Sequence, residues 1–441
     1  MDVLGHANVL AHPIGEMNTA ANDRHLVPLK PDVLTGQGCP ACGSQNITIE
    51  RVIFPGIHVM ADAHCNACNA EYMQDLPIGF GVDHAMAINT QNGKLFEADL
   101  GLAWIHVPLM KGYARPDEND IEVERVVYRT CTNVIVLNTL DFLYGHVLLK
   151  LYNAAHYLER YPDIGLIVIV PRMFQWLVPK GVAEAWVVDL RLGHMQGWYS
   201  GIDRFVQEQL PHFASVQLAR GYAHPVFANI DVEAFTGVAP FPIEEFTSRP
   251  PHITFVARED RLWFASPLGK FLYRALNKLG LKPSLGRWYV AAQDRLIRRS
   301  IHRIRKAIPD VRFTVVGLAE GGGLADVATD LRTKRMDNSV ERAWVEAYAS
   351  SQVVVGVHGS NMLLPTAHAA ACIEILPYDR YGNIVQDISV RRHDRLQLFL
   401  YRFVDEFATP AAIARQAVAM FREFDNYYRN NVINGFGDGS E

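Results

Sequence analysis

From about residue 131 onward, continuous apolar runs alternate with stretches whose apolar residues recur at helical spacing. CTNVIVLNT, beginning at Cys131, predicts a buried strand, DFLYGHVLLKLYNAAHYLERY a helix, and IGLIVIVP a second buried strand. AEAWVVDL, GIDRFVQEQLPHF and ASVQLA continue as strand, helix and strand to about residue 220. A connector with Pro225, Pro240 and Pro242 ends in Arg249-Pro250-Pro251, and the alternation then resumes. HITFVAR, VRFTVVG, QVVVGVHG and CIEILP are strands; DRLIRRSIHRIRKAI, SVERAWVEAYASS and NMLLPTAHAAA are helices, the second with a Ser cap and Glu341 in its first turn. Strands apolar on both faces and separated by helices belong to parallel sheets covered on both sides. The fold class is therefore α/β, with two Rossmann-like doubly wound domains in tandem.

The segment before residue 131 has a different texture. Residues 1–34 show no period and read as an irregular arm. Asn92-Gly93 between short alternating runs signals a hairpin in a β-rich connector spanning 76–130. Residues 35–75 carry two C-x2-C knuckles, Cys39/Cys42 and Cys65/Cys68, followed by Gly43 and Asn69, residue types that tolerate a left-handed backbone. Two such turns supply four thiolates for a closed tetrahedral site, so a structural Zn2+ of the zinc-ribbon type is expected, with a disulfide pair or a redox role as alternatives. His58 and His64 are read as surface histidines beside it. Cys131 and Cys372 lie alone in apolar runs and read as core thiols in a reducing compartment.

Length and charge narrow the picture. At roughly 100–200 residues per domain, 441 residues predict two to four domains. A net charge of -5 provides no global field for a polyanion, and Arg51 is the lone basic residue between the knuckles, so no nucleic-acid partner is expected. The basic helix from Arg295 to Lys306 reads as a solvated face over Leu296, Ile297, Ile301 and Ile304. No run of 18 apolar residues occurs and the start lacks a signal-peptide pattern; no membrane span is expected, and the expected location is cytoplasmic.

The candidate chemistry clusters after strands of the second series. Val357-His358-Gly359-Ser360-Asn361 is a buried strand ending in a small-residue turn, where backbone N–H groups can meet a phosphate; an ordinary turn with a hydrogen-bonded histidine is the alternative. Glu374 in the next strand is a candidate for ribose or sugar hydroxyls, or one member of a buried ion pair. Arg258 and Arg261 follow the first strand and suit a pyrophosphate, unless neighbouring acids absorb them. The glycine-rich GLAEGGG from Gly317 fits neither a dinucleotide fingerprint nor a P-loop and reads as a loop near the mouth.

Two places together resemble the GT-B glycosyltransferases, and among them the family-61-like sugar transferases. One is Gly145-His146-Val147-Leu148-Leu149-Lys150 with the strand ending in Val170-Pro171; the other is Val357-His358-Gly359-Ser360-Asn361 through Glu374-Ile375-Leu376-Pro377. Lys150 stands where that family has an acid, Val147 where it has tryptophan, and Asn361 where it has a second glycine. The resemblance implies an acceptor domain over 131–245, a donor domain over 246–408 and a C-terminal helix over 409–441 packing back on the first half. It implies an inverting, metal-independent transferase that binds a nucleotide-diphosphate sugar on Arg258, Arg261, His358, Gly359, Ser360, Asn361 and Glu374 and moves the sugar to a carbohydrate or other hydroxyl acceptor. His146, Asp189 and His194 are the candidate bases. The zinc ribbon, foreign to that family pattern, is a candidate acceptor or protein contact. The rival readings are a non-catalytic scaffold on a decayed transferase fold and a nucleotide-sugar epimerase.

Overall fold

The computed structural model describes residues 23–33, 37–97, 100–118, 121–227, 230–280, 282–389 and 394–430. Among the described residues the first element is β1 (Leu26–Lys30); a small antiparallel sheet follows, made of β2 (Ile47–Ile53), β3 (Met60–Cys65), β4 (Glu71–Asp75), β5 (Ala87–Asn89) and β6 (Lys94–Leu95), and then α1 (Ala103–Ala114). The Asn92-Gly93 hairpin closes β5 on β6, with Gly93 at a φ of 67°. Next come β7 (Val123–Val127), β8 (Asn133–Asn138), α2 (Tyr144–Tyr152), α3 (Ala154–Arg160), β9 (Gly165–Pro171), β10 (Glu184–Val188), α4 (Ser200–Gln209), β11 (Ser215–Ala219) and α5 (Val232–Thr236). The remaining elements are β12 (His252–Val256), α6 (Pro267–Lys278), α7 (Lys282–Ala307), β13 (Arg312–Val316), β14 (Thr329–Asp330), α8 (Asn338–Ala349), β15 (Val353–Val357), α9 (Leu363–His368), β16 (Ala371–Leu376), α10 (Asp394–Leu400), β17 (Tyr401–Asp405) and α11 (Pro410–Tyr428).

Among the described residues two six-stranded sheets carry the architecture, in the orders β1-β11-β8-β9-β10-β7 and β14-β13-β12-β15-β16-β17. The second is parallel throughout, while the first has a parallel centre with antiparallel β1 and β7 at its edges. The expected pair of Rossmann-like units plus a small cysteine-bearing module is what the chain forms. Along β8, Ile135 and Leu137 enter one core while Val134 and Val136 enter another, because successive side chains point to opposite faces. The first core runs through α2, α3 and both large sheets. The second lies between the first sheet and the small module, where Val52, Phe54, Ile57 and Met60 pack with Ile167, Ile169 and Trp186. Burying each such side chain contributes about 1.5–3 kcal/mol relative to exposure. The module is thus the cover of one sheet face, not an appendage.

Several local expectations are corrected. Part of the segment read as an irregular arm is β1, paired with β11; residues 1–22 lie outside the described residues. The helix expected as one piece is split into α2 and α3 at Asn153, whose amide donates to Leu149 O, Lys150 O and Tyr222 O at 2.9–3.0 Å and so competes with the helical ladder. The cap of α8 is Asp337, which accepts from the N–H groups of Ser339 and Val340, rather than a serine. The terminal helix α11 packs on the second half, where Ile413, Met420 and Phe424 are buried and Phe424 stacks on Phe246, rather than returning to the first. Its apolar stripe found its cover close by. His58 is buried against Asp75 at 3.1 Å, whereas a surface position was expected.

Candidate functional site

Both large sheets have a point where the chain turns from one side to the other. β8 lies between β9 and β11, and β12 lies between β13 and β15. Connections that leave such strands in opposite directions open a crevice at the carboxyl ends. The two crevices face each other: a Cβ on Gly145 after β8 would stand 2.8 Å from the Cβ of Ser360 after β15. Two adjoining cavities result, one of about 330 Å³ and one of about 540 Å³, with Leu143, Arg261 and Ser360 lining both.

The second half lines this crevice with cations of unequal standing. Arg258 is committed to Asp260 through a two-pronged contact at 2.8 and 2.9 Å, although it borders the smaller cavity. Arg261 makes no ion pair among the described residues; its hydrogen bond goes to His358 O at 3.3 Å. Burial and the nearby Arg380 push its pKa below the ordinary arginine value by more than Asp260 and Asp387, neither of them in ion-pair contact, pull it back. Arg380, which the sequence reading did not single out, lines the larger cavity and likewise has no ion pair among the described residues. It sits in a short 3-10 helix after Pro377, Tyr378–Asn383, too brief for a periodicity to mark a functional side chain.

The turn at Gly359 supports this arrangement. Gly359 has a φ of 146°, and any Cβ there would collide with the Arg261 guanidinium, so the glycine makes room for the arginine. Ser360 lines both cavities and Asn361 the smaller one; Asn361 Oδ1 is buried without a hydrogen-bond partner among the described residues. His358 and Glu374 are fully enclosed instead of facing the crevice. Their side chains bond each other, and His358 Nε2 lies 3.2 Å from Asn383 O. Burial alone would lower the His358 pKa, but Glu374 and the Asn383 carbonyl hold it above the usual value. These two residues brace the turn from behind, which corrects their expected place as ligand contacts.

On the opposite wall stands a cluster of one buried carboxylate and two cationic or basic partners. Asp141, buried three residues beyond β8, accepts from Lys150 Nζ at 2.8 Å and lies 3.4 Å from His146 Nδ1. Burial would raise the Asp141 pKa; Lys150 and His146 overcome it and hold the carboxyl at about 2. His146 is partly exposed and lines the larger cavity. Asp141 was missed, although an acid at the end of a buried strand was visible. The other two candidate bases are elsewhere: Asp189 is half-exposed and pairs with Arg172 at 3.1 Å, His194 is exposed, and neither lines the cavities. Glu341 on α8 closes the smaller cavity, accepting from Tyr144 Oη and, at 2.9 Å, from Trp176 Nε1 of the first half. Burial raises its pKa above the usual carboxylate value.

The four module cysteines converge. Their sulfurs all lie within 4.8 Å of one another, with Cys39–Cys68 and Cys42–Cys65 each at 3.7 Å. These are not disulfide distances, and all four thiols are free. Gly43 and Asn69 have φ values of 74° and 56°, as the knuckle turns require. The cluster fits a metal ion: a tetrahedron with metal–sulfur bonds of about 2.3 Å has edges of about 3.8 Å.

No family model matches the chain, and no curated protein matches it. Among solved structures it is similar to a family 9 glycosyl transferase from Veillonella parvula, at 9% identity and a TM-score of 0.37 over 68% of this chain and 100% of the other. It is also similar to the pneumococcal O-GlcNAc transferase GtfA in complex with UDP and GlcNAc, at 8% identity and a TM-score of 0.24 over 84% of this chain and 65% of that one.

Proposed function

We propose that the protein is a glycosyltransferase that moves a sugar from a nucleotide-diphosphate donor to a hydroxyl acceptor. The observation that carries this reading is Arg261: a part-buried guanidinium with no ion pair among the described residues, seated on the Gly359 turn where the two cavities meet. Such a charge favours an anionic ligand, and Arg380 adds a second. In this reading the nucleoside occupies the smaller cavity, the diphosphate lies on Arg261, Arg380 and Ser360, and the transferred sugar points into the larger cavity. Arg258, already paired with Asp260, contributes less.

His146 is the base. Asp141 at its Nδ1 favours the tautomer with the proton on that nitrogen, leaving the Nε2 lone pair to take the acceptor's hydroxyl proton. The acceptor oxygen then bonds to the anomeric carbon as the bond from that carbon to the β-phosphate oxygen breaks. The nucleoside diphosphate leaves with the electron pair, and the fixed guanidinium groups stabilise the growing charge. A single displacement inverts the anomeric carbon, and these cations do the work a divalent ion would otherwise do. Lys150, in the place of the family's acid, is not evidence of decay in this reading, because Asp141 brings a carboxylate to the same spot and Lys150 neutralises it.

A panel of UDP, GDP, ADP and their sugars tests the reading by thermal shift, since a ligand at 100 times its dissociation constant adds about 2.7 kcal/mol. At least one is expected to raise the melting temperature; no shift with any of them would overturn it.

The cysteine cluster is assigned a structural Zn2+, because four thiolates leave no position open for substrate. The protein is expected to carry one equivalent of zinc per chain by elemental analysis. A strong chelator should release it together with four titratable thiols and lower the melting temperature, since metal binding and folding of such modules are coupled.

A further inference from the structure

The larger cavity has a wall that neither Rossmann-like unit supplies. Phe80, Asp83, His84 and Trp104 all come from the cysteine-bearing module and its helix α1. Phe80 and His84 meet Trp104 edge-on at 6.3 and 5.6 Å between ring centroids, which holds the indole in place. Even so, 46% of Trp104 remains accessible, although it is among the largest apolar side chains of the protein. Phe80 also lies 5.2 Å from the Lys150 ammonium, so the same wall touches the Asp141–His146 group. Asp83 joins this wall from the module, while Asn383, Gln386 and Asp387 line the same cavity from the second half, beside Arg261 and Arg380.

We infer that this wall is the acceptor site and that the acceptor is the neutral end of a carbohydrate. The inference rests on the sugar-transfer reading above and adds the substrate class and the module that selects it. A pyranose has an apolar C–H face that covers an indole and a rim of hydroxyl donors, and ionised carboxylates accept from such donors. A phosphorylated or carboxylated acceptor on this wall would meet Asp83 with like charge, the Arg261 and Arg380 guanidinium groups being taken by the diphosphate in the sugar-transfer reading. An acyl chain would leave that carboxylate desolvated without a partner. A sugar stacked on Trp104 would share its cavity with His146, which is where a hydroxyl must lie to lose its proton. The cysteine clip thus acts at a distance: it folds the module whose far side is a wall of the reaction chamber.

The full-length protein, with Trp104→Phe and Trp104→Ala variants, is applied with UDP to an array of neutral oligosaccharides, and the nucleotide thermal shift is measured on the same samples. Wild type is expected to hold a defined subset of glycans and Trp104→Phe most of it. Trp104→Ala should weaken binding roughly tenfold or more while its nucleotide shift stays at the wild-type size. Glycan binding that is equal in wild type and Trp104→Ala overturns the inference. So does a wild type that shifts with a nucleotide but holds no glycan and transfers to a peptide or lipid hydroxyl. If no nucleotide shifts the wild type, the transferase reading fails by itself; Trp104-dependent glycan binding then still supports the carbohydrate site, and its absence overturns both.

Discussion

Arg261→Met is expected to abolish most of the nucleotide-induced thermal shift and to lower kcat/KM by about 10²–10³-fold, while the unliganded protein melts near the wild-type temperature. The guanidinium makes one long hydrogen bond to His358 O and no ion pair among the described residues, so its removal costs the fold little. Methionine also relieves the cost of keeping a charge part-buried beside Arg380. What is lost is a charge-assisted contact to the ligand, each worth about 1.5–3 kcal/mol, and the charge that waits for the leaving group. Arg258→Met provides the contrast. Its partner Asp260 already neutralises it, so a smaller loss of affinity is expected. Isothermal titration with the nucleotide that shifts the wild type measures both, and equal losses would remove Arg261 from the centre of the proposal.

Asp141→Asn should damage both stability and rate. It leaves the Lys150 ammonium, 1% exposed, without its counter-charge, and breaking a buried pair in this way costs about 3–5 kcal/mol. It also removes the group that orients His146, so kcat is expected to fall by about 10²–10⁴-fold, the range general-base catalysis supplies. Asp141→Asn/Lys150→Met separates the two effects: stability by urea denaturation should largely return, and kcat should not. A double variant with wild-type kcat would rule out His146 positioned by Asp141 as the base. The pair has a pH signature as well. The Asp141 pKa is lowered in the folded state to about 2 from an ordinary 3.8. Its contribution, on the order of 2 kcal/mol, is therefore complete above pH 4 and is lost as pH falls toward 2. The double variant should lack that part of the acid destabilisation.

Much of the scaffold was legible because its signals are local. Fully buried strands such as β9 and β15 have to be apolar at consecutive positions, and helices such as α7 have to repeat their apolar residues at helical spacing; both patterns survive in one dimension. The cysteine turns were readable for the same reason, since two thiolates and a left-handed residue come from one short stretch. The edge strands β1 and β17 escaped because short mixed segments carry no distinctive period, and β7 was covered only by the general expectation of a β-rich connector.

The site divides along the same line. Sequence alone determined which residues follow the carboxyl ends of the strands, among them His146, Arg258, Arg261 and Ser360, because strand ends are marked by the end of the apolar run. Only the tertiary structure decided what each charge meets: Arg258 is neutralised by Asp260, His358 and Glu374 turn inward to each other, and Asp189 pairs with Arg172 outside the crevice. It also brought in Asp141, Arg380 and Trp104, the last from a module whose apolar strands gave no hint that they would cover the first sheet. The physical reason is range. Periodicity and turn chemistry act over a few residues, whereas the reactivity of a charge depends on whichever groups packing places within a few ångströms of it, however distant they are along the chain.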